Sequence, residues 1–193
     1  MSIRSFFFVC VSLVCLNLSA QHYRLNAGDV QLNTSVGILP TYTADEANTL
    51  VPPLSVNAEF FLSPNFALGL SGSYSRYEGE YVNLNAGIAE YYETSTYMFG
   101  LRTAIYSNDL NDWRVYGGFT LGASIPDVEK EVVLLPGEQI RDDELPSFSR
   151  PQEGSLLFSG FVGTRRVLGE RFSLFGELGF GISLANVGLG YKF

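Results

Sequence analysis

Most of this chain alternates between apolar residues and small or polar residues, a pattern typical of β-strands with one apolar face. In the first such segment Val30, Leu32 and Val36 share one face, while Gln31 and Asn33 share the other. The alternation predicts eight strands, at about residues 29–38, 54–62, 66–76, 95–106, 114–125, 155–166, 171–182 and 185–193. The predicted fold class is therefore all-β.

The two faces of the predicted strands differ in charge. We expect the apolar face of all eight strands to be free of Asp, Glu, Lys and Arg. The opposite face combines Gly, Ser and Asn with charged residues, namely Asp29, Glu59, Arg102, Arg165, Glu177 and Lys192. A membrane barrel turns its apolar face to lipid, where a cation at mid-depth costs about 2–4 kcal/mol. The charge pattern therefore favours a transmembrane barrel over a soluble sheet.

Residue size and connection length support the same interpretation. The polar face is rich in Gly and Ser, which suit the narrow interior of a small barrel. The predicted odd-numbered connections are 39–53, 77–94, 126–154 and 183–185, and the even-numbered ones are 63–65, 107–113 and 167–170. This alternation of long and short connections, broken only at the last hairpin, is typical of extracellular loops and periplasmic turns.

Aromatic residues concentrate near both ends of the predicted strands. Those near the short turns are Phe60, Phe66, Trp113, Phe172, Tyr191 and Phe193, and those near the long loops are Tyr74, Tyr77, Tyr91, Tyr92 and Tyr97. Two aromatic girdles mark the interfaces of a membrane with water. Lipid offers no hydrogen-bond partners to a strand edge, so the sheet must close. The sequence predicts an eight-stranded antiparallel up-and-down transmembrane β-barrel.

The N-terminal 20 residues have the pattern of a secretory signal peptide. A short positive segment that includes Arg4 precedes an apolar stretch at 6–16, and Leu18-Ser19-Ala20 offers a small residue at the cleavage point. The apolar stretch is too short for a transmembrane helix, which needs about 20 residues. We expect cleavage after Ala20, which leaves residues 21–193 as the barrel domain.

Composition narrows the chemistry. Cys10 and Cys15 would leave with the signal peptide, so the mature chain can form no disulfide and no thiolate metal site. The net charge of −8 argues against nucleic acid as a partner, because nucleic acid requires clustered Lys and Arg. The sequence also contains no glycine-rich phosphate loop and no calcium-loop spacing, and we expect no cofactor and no metal.

Candidate catalytic groups are few. Hydrolysis by a catalytic serine of the Ser-His-acid type needs a histidine base. The one histidine, His22, precedes the first strand at the periplasmic end. Asp142, Asp143 and Glu144 lie together in the predicted loop 126–154. An acid pair there is one interpretation, and a solvated acidic loop facing outward is the one we favour. We expect a protein that is not an enzyme.

The charged residues of the polar face are the most specific candidate site. Glu59, Arg102 and Glu177 should point into the lumen a few residues from the short turns, with Arg165 nearer the turns. Unpaired charges in a narrow interior are costly, so these groups should pair. We expect Arg102 to pair with Glu59 or Glu177, and the four residues to form a structural plug rather than a switchable gate.

The segment 187–193, Val-Gly-Leu-Gly-Tyr-Lys-Phe, resembles the C-terminal strand of Gram-negative outer-membrane proteins. In that family, alternating apolar residues that end on Phe form the signal read by the barrel-assembly machinery. The resemblance assigns this role to Leu189, Tyr191 and Phe193. The whole mature chain resembles the small porin-like outer-membrane β-barrels of the OmpA and OmpX size class. The resemblance implies a monomer in the outer membrane, with lipid and the assembly machinery as partners.

Such a fold is compatible with several functions. We expect a non-enzymatic protein of the cell envelope, with a structural or envelope-integrity role or with loops that contact an unknown partner. A narrow channel for small solutes is a second possibility. A soluble lipocalin-like carrier of an apolar ligand is a third, and it requires the apolar face to lie inside the barrel.

Overall fold

A computed structural model describes residues 25–42, 47–83, 88–134 and 154–193, which form eight antiparallel strands closed into one barrel. The strands are β1 (Val30–Gly37), β2 (Asn48–Ser63), β3 (Phe66–Asn83), β4 (Ile88–Tyr106), β5 (Trp113–Leu134), β6 (Ser155–Val167), β7 (Phe172–Gly179) and β8 (Ala185–Lys192). Each strand pairs with the next one along the chain, and β8 pairs with β1. The predicted eight-stranded up-and-down barrel is confirmed. No helix in the described ranges is long and apolar enough to cross a membrane.

Polar, charged and aromatic side chains fill the inside of the barrel, and apolar residues cover its outside. Leu70, Leu101 and Phe158 are 63%, 63% and 71% exposed, whereas Gln31 and Glu59 are almost fully buried. This arrangement is the inverse of a water-soluble protein and matches a barrel surrounded by lipid. The soluble lipocalin-like alternative needs an apolar interior, and the polar and charged lining of this lumen does not provide one.

Glycines on the inner face make room for large side chains in the lumen. A Cβ atom at Gly163 would lie 2.6 Å from the Cζ atom of Tyr116. A Cβ atom at Gly188 would lie 2.6 Å from the Cζ atom of Phe175. The small residues of the polar face thus allow a few bulky side chains to cross the interior.

Strands β3, β4 and β5 are longer than the alternation predicts. The predicted loops 77–94 and 126–154 were wrong in extent, because β3 runs to Asn83, β4 begins at Ile88 and β5 runs to Leu134. The extra pairs include Glu78 with Glu93 and Glu93 with Glu129. Beyond the apolar band both faces of a strand can be polar, so hydrogen-bonded pairing continues after the alternation has ended.

Strand β2 also begins earlier than predicted, at Asn48, within the expected loop 39–53. Pro52 and Pro53 lie where β1 no longer pairs with β2, since the last matched pair is Val36 with Leu54. A proline lacks an N–H group and is tolerated where the strand forms an edge. The β2–β3 register shifts between Val51 and Leu54, which accommodates the two prolines.

Strand β7 is shorter than predicted, because it ends at Gly179 rather than at residue 182. The chain then turns toward β1, and Pro40 forms a bridge with Ser183. Ile182, which the alternation assigned to the outer face, is therefore buried. The last connection occupies 180–184 instead of 183–185.

Two cations lie on the outer face, which corrects the expectation that this face carries no charge. Arg76 forms an ion pair with Glu93 on the part of β3 that follows the apolar residues, on the side away from the short turns. Arg166 lies at the opposite end of the barrel, on β6, with its guanidinium over the ring of Trp113. Both positions are at the ends of the apolar band, where the cost of a charge falls to about 0–1 kcal/mol.

The aromatic residues form outward girdles with two corrections, because Tyr77 and Tyr92 both occupy inward positions, and the side chain of Tyr92 lies against Gly79. Phe60, Trp113, Phe172 and Phe193 are all exposed at the short-turn end. At the other end the rings of Tyr74 and Tyr97 meet on the outer face at 5.0 Å. Tyr77 was expected in this second girdle, but it is buried and stacks on Tyr42 at 4.2 Å.

Replacement of Leu101 by arginine tests the lipid-facing surface. Leu101 lies in the middle of β4 and is exposed on the outer face, so L101R should lower the free energy of unfolding in phospholipid vesicles by about 2–4 kcal/mol. The measurement is urea unfolding followed by the electrophoretic shift between folded and heated protein. The matched control is L110R in the short turn 107–112, where the same change should cost at most about 1 kcal/mol. Equal losses in the two variants would contradict a lipid-facing Leu101.

Candidate functional site

Four charged side chains from four strands meet in the half of the lumen nearest the short turns. Glu59 comes from β2, Arg102 from β4, Arg165 from β6 and Glu177 from β7, and each occupies an inward position of its strand. Glu59 is paired in register with Gly69 of β3, and Gly69 is paired with Arg102. Because the intervening residue has no side chain, Glu59 and Arg102 can reach each other across β3.

Arg102 joins the two carboxylates. Its Nε atom donates a hydrogen bond to Glu59 Oε1 at 3.0 Å. Its Nη1 and Nη2 atoms donate to the two carboxylate oxygens of Glu177, at 3.3 and 2.5 Å. The face of the guanidinium lies 3.4 Å from the ring centroid of Phe161. A bidentate pair stacked on an aromatic ring fixes both the position and the orientation of Arg102.

The second oxygen of Glu59 is held by three further groups. The Tyr106 hydroxyl donates to Glu59 Oε2 at 2.6 Å, and the Asn33 amide nitrogen donates to it at 3.0 Å. Arg165 Nη2 lies 3.8 Å from the same oxygen. Glu59 is only 1% exposed, and these contacts replace the water that it would otherwise bind.

Arg165 is the largest fully buried side chain of the barrel. It donates to the side-chain oxygen of Gln31 and, at 3.0 Å, to that of Asn33. Its guanidinium also lies 5.3 Å from the ring of Tyr106, 5.4 Å from that of Tyr116 and 5.7 Å from that of Phe175. Burial of its long side chain among three rings fills the section of the lumen closest to the turns.

The four residues form one connected and charge-balanced network, which we call the lumen network. Two arginines face two glutamates, so their formal charges cancel. A buried carboxylate is tolerated when its oxygens are paired and hydrogen-bonded. Both glutamates here meet that condition, and the arrangement is suited to filling and stiffening the lumen.

Six polar and aromatic residues that contact the lumen network were not singled out as site residues from the sequence. They are Gln31, Asn33, Tyr106, Tyr116, Phe161 and Phe175. The available signal is the alternation itself, which already assigned Gln31, Asn33 and Tyr116 to the inner face. It could not show which of the inward side chains reach Glu59, because this depends on contacts across strands far apart in sequence.

A second set of contacts closes the short-turn end of the lumen. Arg114, which is buried, forms an ion pair with Asp109 of the turn 107–112. It also donates to the backbone oxygen of Pro64 at 3.1 Å, which links two of the short turns. The network thus lies above a further layer of buried contacts.

A small polar chamber lies next to the lumen network, on the side away from the short turns. Its volume is about 60 Å³, room for a few water molecules, and Arg102 and Glu177 contribute to its lining. The remaining lining is mostly small and polar, including Ser35, Ser55 and Asn57. The Asn57 side-chain oxygen is buried without a protein partner, which fits a hydrated chamber.

Of the three residues of the expected C-terminal assembly signal, Leu189 and Tyr191 lie on the outer face of β8, and Phe193 directly follows that strand. Leu189 and Phe193 are exposed to the surroundings of the barrel. Tyr191 packs edge-on against Phe172 at 5.1 Å and against Phe193 at 4.9 Å. The backbone N–H of Phe193 donates to the carbonyl oxygen of Val30 at 3.0 Å, so this end of the chain is held against β1.

The remaining candidates lie outside the described residues. These are the signal peptide at 1–20, His22, and the acidic residues Asp142, Asp143 and Glu144. Among the residues of the four described ranges, no group of three or more His, Cys, Asp and Glu side chains is placed to hold a metal ion.

Comparison with known proteins identifies the fold. No protein-family description and no curated protein sequence matches this chain. The outer-membrane protein OprG of Pseudomonas aeruginosa is similar in structure, with a TM-score of 0.55 and 11% identity over 91% of this chain and 99% of OprG. The N-terminal β-barrel domain of Pseudomonas aeruginosa OprF has a TM-score of 0.53 and 14% identity over 88% of this chain and all of that domain.

A de novo designed transmembrane β-barrel is also similar, with a TM-score of 0.52 and 13% identity over 88% of this chain and 99% of the design. The structural similarity establishes a shared fold. Sequence identities this low carry no information on shared activity. The neighbours and the outward apolar band agree on one conclusion: this chain has the fold of the small eight-stranded outer-membrane β-barrels.

Proposed function

We propose that this chain is a non-enzymatic integral outer-membrane protein with a sealed lumen, which acts through its outer surfaces. In this role it contributes to envelope integrity or presents its extended strands to a partner. The observation that carries the proposal is Arg102, which bridges Glu59 and Glu177 across the lumen. A protein with this contact in place has no open aqueous path along the barrel axis.

The packing on both sides of Arg102 supports a sealed lumen. Arg165 and Tyr106 fill the section nearest the turns, and both are fully buried. The chamber that Arg102 and Glu177 line has a volume of about 60 Å³, room for a few water molecules. An eight-stranded barrel has an interior just wide enough for side chains. The narrow-channel alternative would require Arg102 and Arg165 to leave this section together, and that would break the pairing of both glutamates.

The extended strands are the surface best placed to meet a partner. Beyond Tyr97 and Ile125, the outward positions of β4 and β5 carry acidic residues, among them Glu93, Glu129 and Glu131. Paired strands hold these groups in fixed positions, unlike a flexible loop. These acidic positions at the long-loop end of the barrel support a role in contact with the surroundings of the cell.

The same proposal includes export and assembly. The signal peptide at 1–20 would be cleaved after Ala20, and Leu189, Tyr191 and Phe193 would be read by the barrel-assembly machinery. The outward position of Leu189 and Phe193 and the aromatic cluster at Tyr191 support recognition of this strand from the lipid side.

Planar-bilayer recording tests the sealed lumen. We expect the mature protein, folded and inserted at the same density as a general porin used as positive control, to give no discrete conductance steps. The physical reason is that the lumen network leaves no continuous aqueous path. Stepwise conductance from protein that shows the folded electrophoretic mobility would overturn the sealed barrel and favour the narrow channel.

Removal of Arg102 tests the structural role of the lumen network. In R102M both Glu59 and Glu177 lose their shared partner, and breaking a buried pair in this way costs about 3–5 kcal/mol of unfolding free energy. In the double variant R102M/E177Q one positive and one negative charge are gone, and Glu59 keeps Arg165. The double variant should therefore regain most of the lost stability.

Urea unfolding in vesicles measures both variants beside E177Q alone. E177Q leaves Arg102 paired with Glu59, and it should be less damaging than R102M. If the double variant is as unstable as R102M, charge balance is not what stabilises the lumen, and the plug is held by packing alone.

Replacement of Phe193 tests the assembly signal. F193S should slow folding into vesicles that contain the assembly machinery far more than spontaneous folding in detergent, because the recognition contact is lost while the backbone bond to Val30 is kept and only the ring contact with Tyr191 is removed. The measurement is the time course of the heat-modifiable band. V187S, an equally outward position earlier in β8, is the control. An equal delay in V187S and F193S would point to general weakening of β8 instead of recognition.

A further inference from the structure

The outer surface at the short-turn end holds one arginine in an unusual setting. Arg166 lies opposite Trp113 in the β5–β6 register, and its guanidinium is 5.6 Å from the centre of the indole ring. Its neighbour Arg165 points into the lumen, so the alternation of β6 directs Arg166 outward. A cation at this distance from an aromatic ring is held by the electrons of the ring face.

Arg166 has no carboxylate partner among the residues that the structure describes. Other arginines of the barrel do: Arg76 pairs with Glu93, and Arg114 pairs with Asp109. Arg166 therefore carries a charge on the lipid-facing side that forms no direct ion pair within the described protein surface.

The depth of Arg166 in the bilayer follows from its position on the strand. A cation at the centre of the lipid face costs about 2–4 kcal/mol, and the cost approaches zero at the interface. Trp113 has the side chain most typical of that interface. Arg166 and Trp113 therefore lie at the level of the lipid headgroups at the short-turn end, where phosphate groups are the available anions.

The neighbours of Arg166 add an apolar surface below the charge. In register it is flanked by Trp113 on β5 and by Leu174 on β7. Leu174 is exposed beside Arg166, and Val115, two residues beyond Trp113 toward the middle of the bilayer, is exposed on the same face. A lipid with its phosphate at Arg166 can lay an acyl chain along these residues.

We propose that Arg166 and Trp113 form a binding site for the phosphate group of an anionic phospholipid in the leaflet at the short-turn end. The guanidinium supplies a planar fork of N–H donors that matches phosphate oxygens. The indole holds one face of the guanidinium and limits its motion, so less conformational entropy is lost when the lipid binds. This site gives the barrel a preferred lipid at one point of its circumference.

Arg171 provides a matched comparison at the same end of the barrel. It is an exposed arginine, but its Nη1 atom donates to the Tyr191 hydroxyl at 3.0 Å, and Glu170 precedes it in sequence. Loss of Arg171 removes one positive charge from the short-turn end of the barrel and leaves Arg166 and Trp113 intact.

Fluorescence can observe the proposed site directly, because Trp113 is the only tryptophan of the chain. The mature protein is reconstituted in phosphatidylcholine vesicles that contain a fixed fraction of lipid brominated in its acyl chains. The brominated lipid is either phosphatidylglycerol or phosphatidylcholine. We expect quenching of Trp113 to show an about three- to fivefold preference for phosphatidylglycerol, the size expected for one basic residue near the surface.

The variants separate a specific site from general attraction. R166Q should abolish the preference, R166K should retain part of it, and R171Q should leave it unchanged. Each variant is first shown to fold by its electrophoretic mobility without heating. Equal quenching by the two lipids in the unmodified protein, or an equal loss in R166Q and R171Q, would overturn the proposal.

A final experiment distinguishes binding of a lipid from binding of free phosphate. In detergent micelles without phospholipid, millimolar inorganic phosphate should leave the emission of Trp113 unchanged, because the anion lacks the acyl chain that packs on the strands. A change in Trp113 emission that R166Q removes would mean that the site takes free phosphate, and the assignment to a lipid would be wrong.

Discussion

The pairing of two glutamates with two arginines inside a narrow barrel is the constraint on which the remaining structure depends. Glu59 and Arg165 are each 1% exposed, so neither can be hydrated in place of its protein partners. An uncompensated charge in such surroundings costs several kcal/mol. The strands that carry the four residues must therefore adopt one register relative to one another, and this requirement fixes much of the barrel.

The lipid-facing surface enforces the same register from the other side. A shift of β4 by one residue would turn Arg102 outward and Leu101 inward, because side chains alternate along a strand. The shift would place a cation in lipid and remove the shared partner of both glutamates. Inner charges and outer apolar residues thus specify the same strand register. This explains how a chain with little sequence identity to the structurally similar barrels can adopt their fold.

The alternation in the sequence was enough to predict the barrel and the inward direction of Glu59, Arg102, Arg165 and Glu177. It failed where neither lipid nor the lumen dictates a two-residue period. Beyond the apolar band the strands continue through Glu93 and Glu129 by backbone pairing that needs no apolar face. The burial of Ile182 and Tyr77 depends on how the connections fold over the lumen, and no local pattern encodes that.

The contacts of the lumen network lay beyond prediction for a related reason. Tyr106 and Asn33 meet at Glu59 from strands that are not neighbours of each other in the sheet. Their meeting depends on barrel diameter and on side-chain length. The pairing of acids with bases could be anticipated from charge balance, whereas the hydroxyl and amide that complete the shell of Glu59 could not.

Hydrogen exchange at the side chain of Arg102 measures the central claim most directly. The Nε–H group of Arg102, assigned in NMR spectra of the folded protein by comparison with R102K, donates a hydrogen bond to Glu59, and Arg102 is only 5% exposed. We expect a sharp resonance that exchanges with water far more slowly than that of the exposed Arg171. Exchange as fast as that of Arg171 would show that the bond between Arg102 and Glu59 opens readily, and it would contradict a rigid plug in the middle of the barrel.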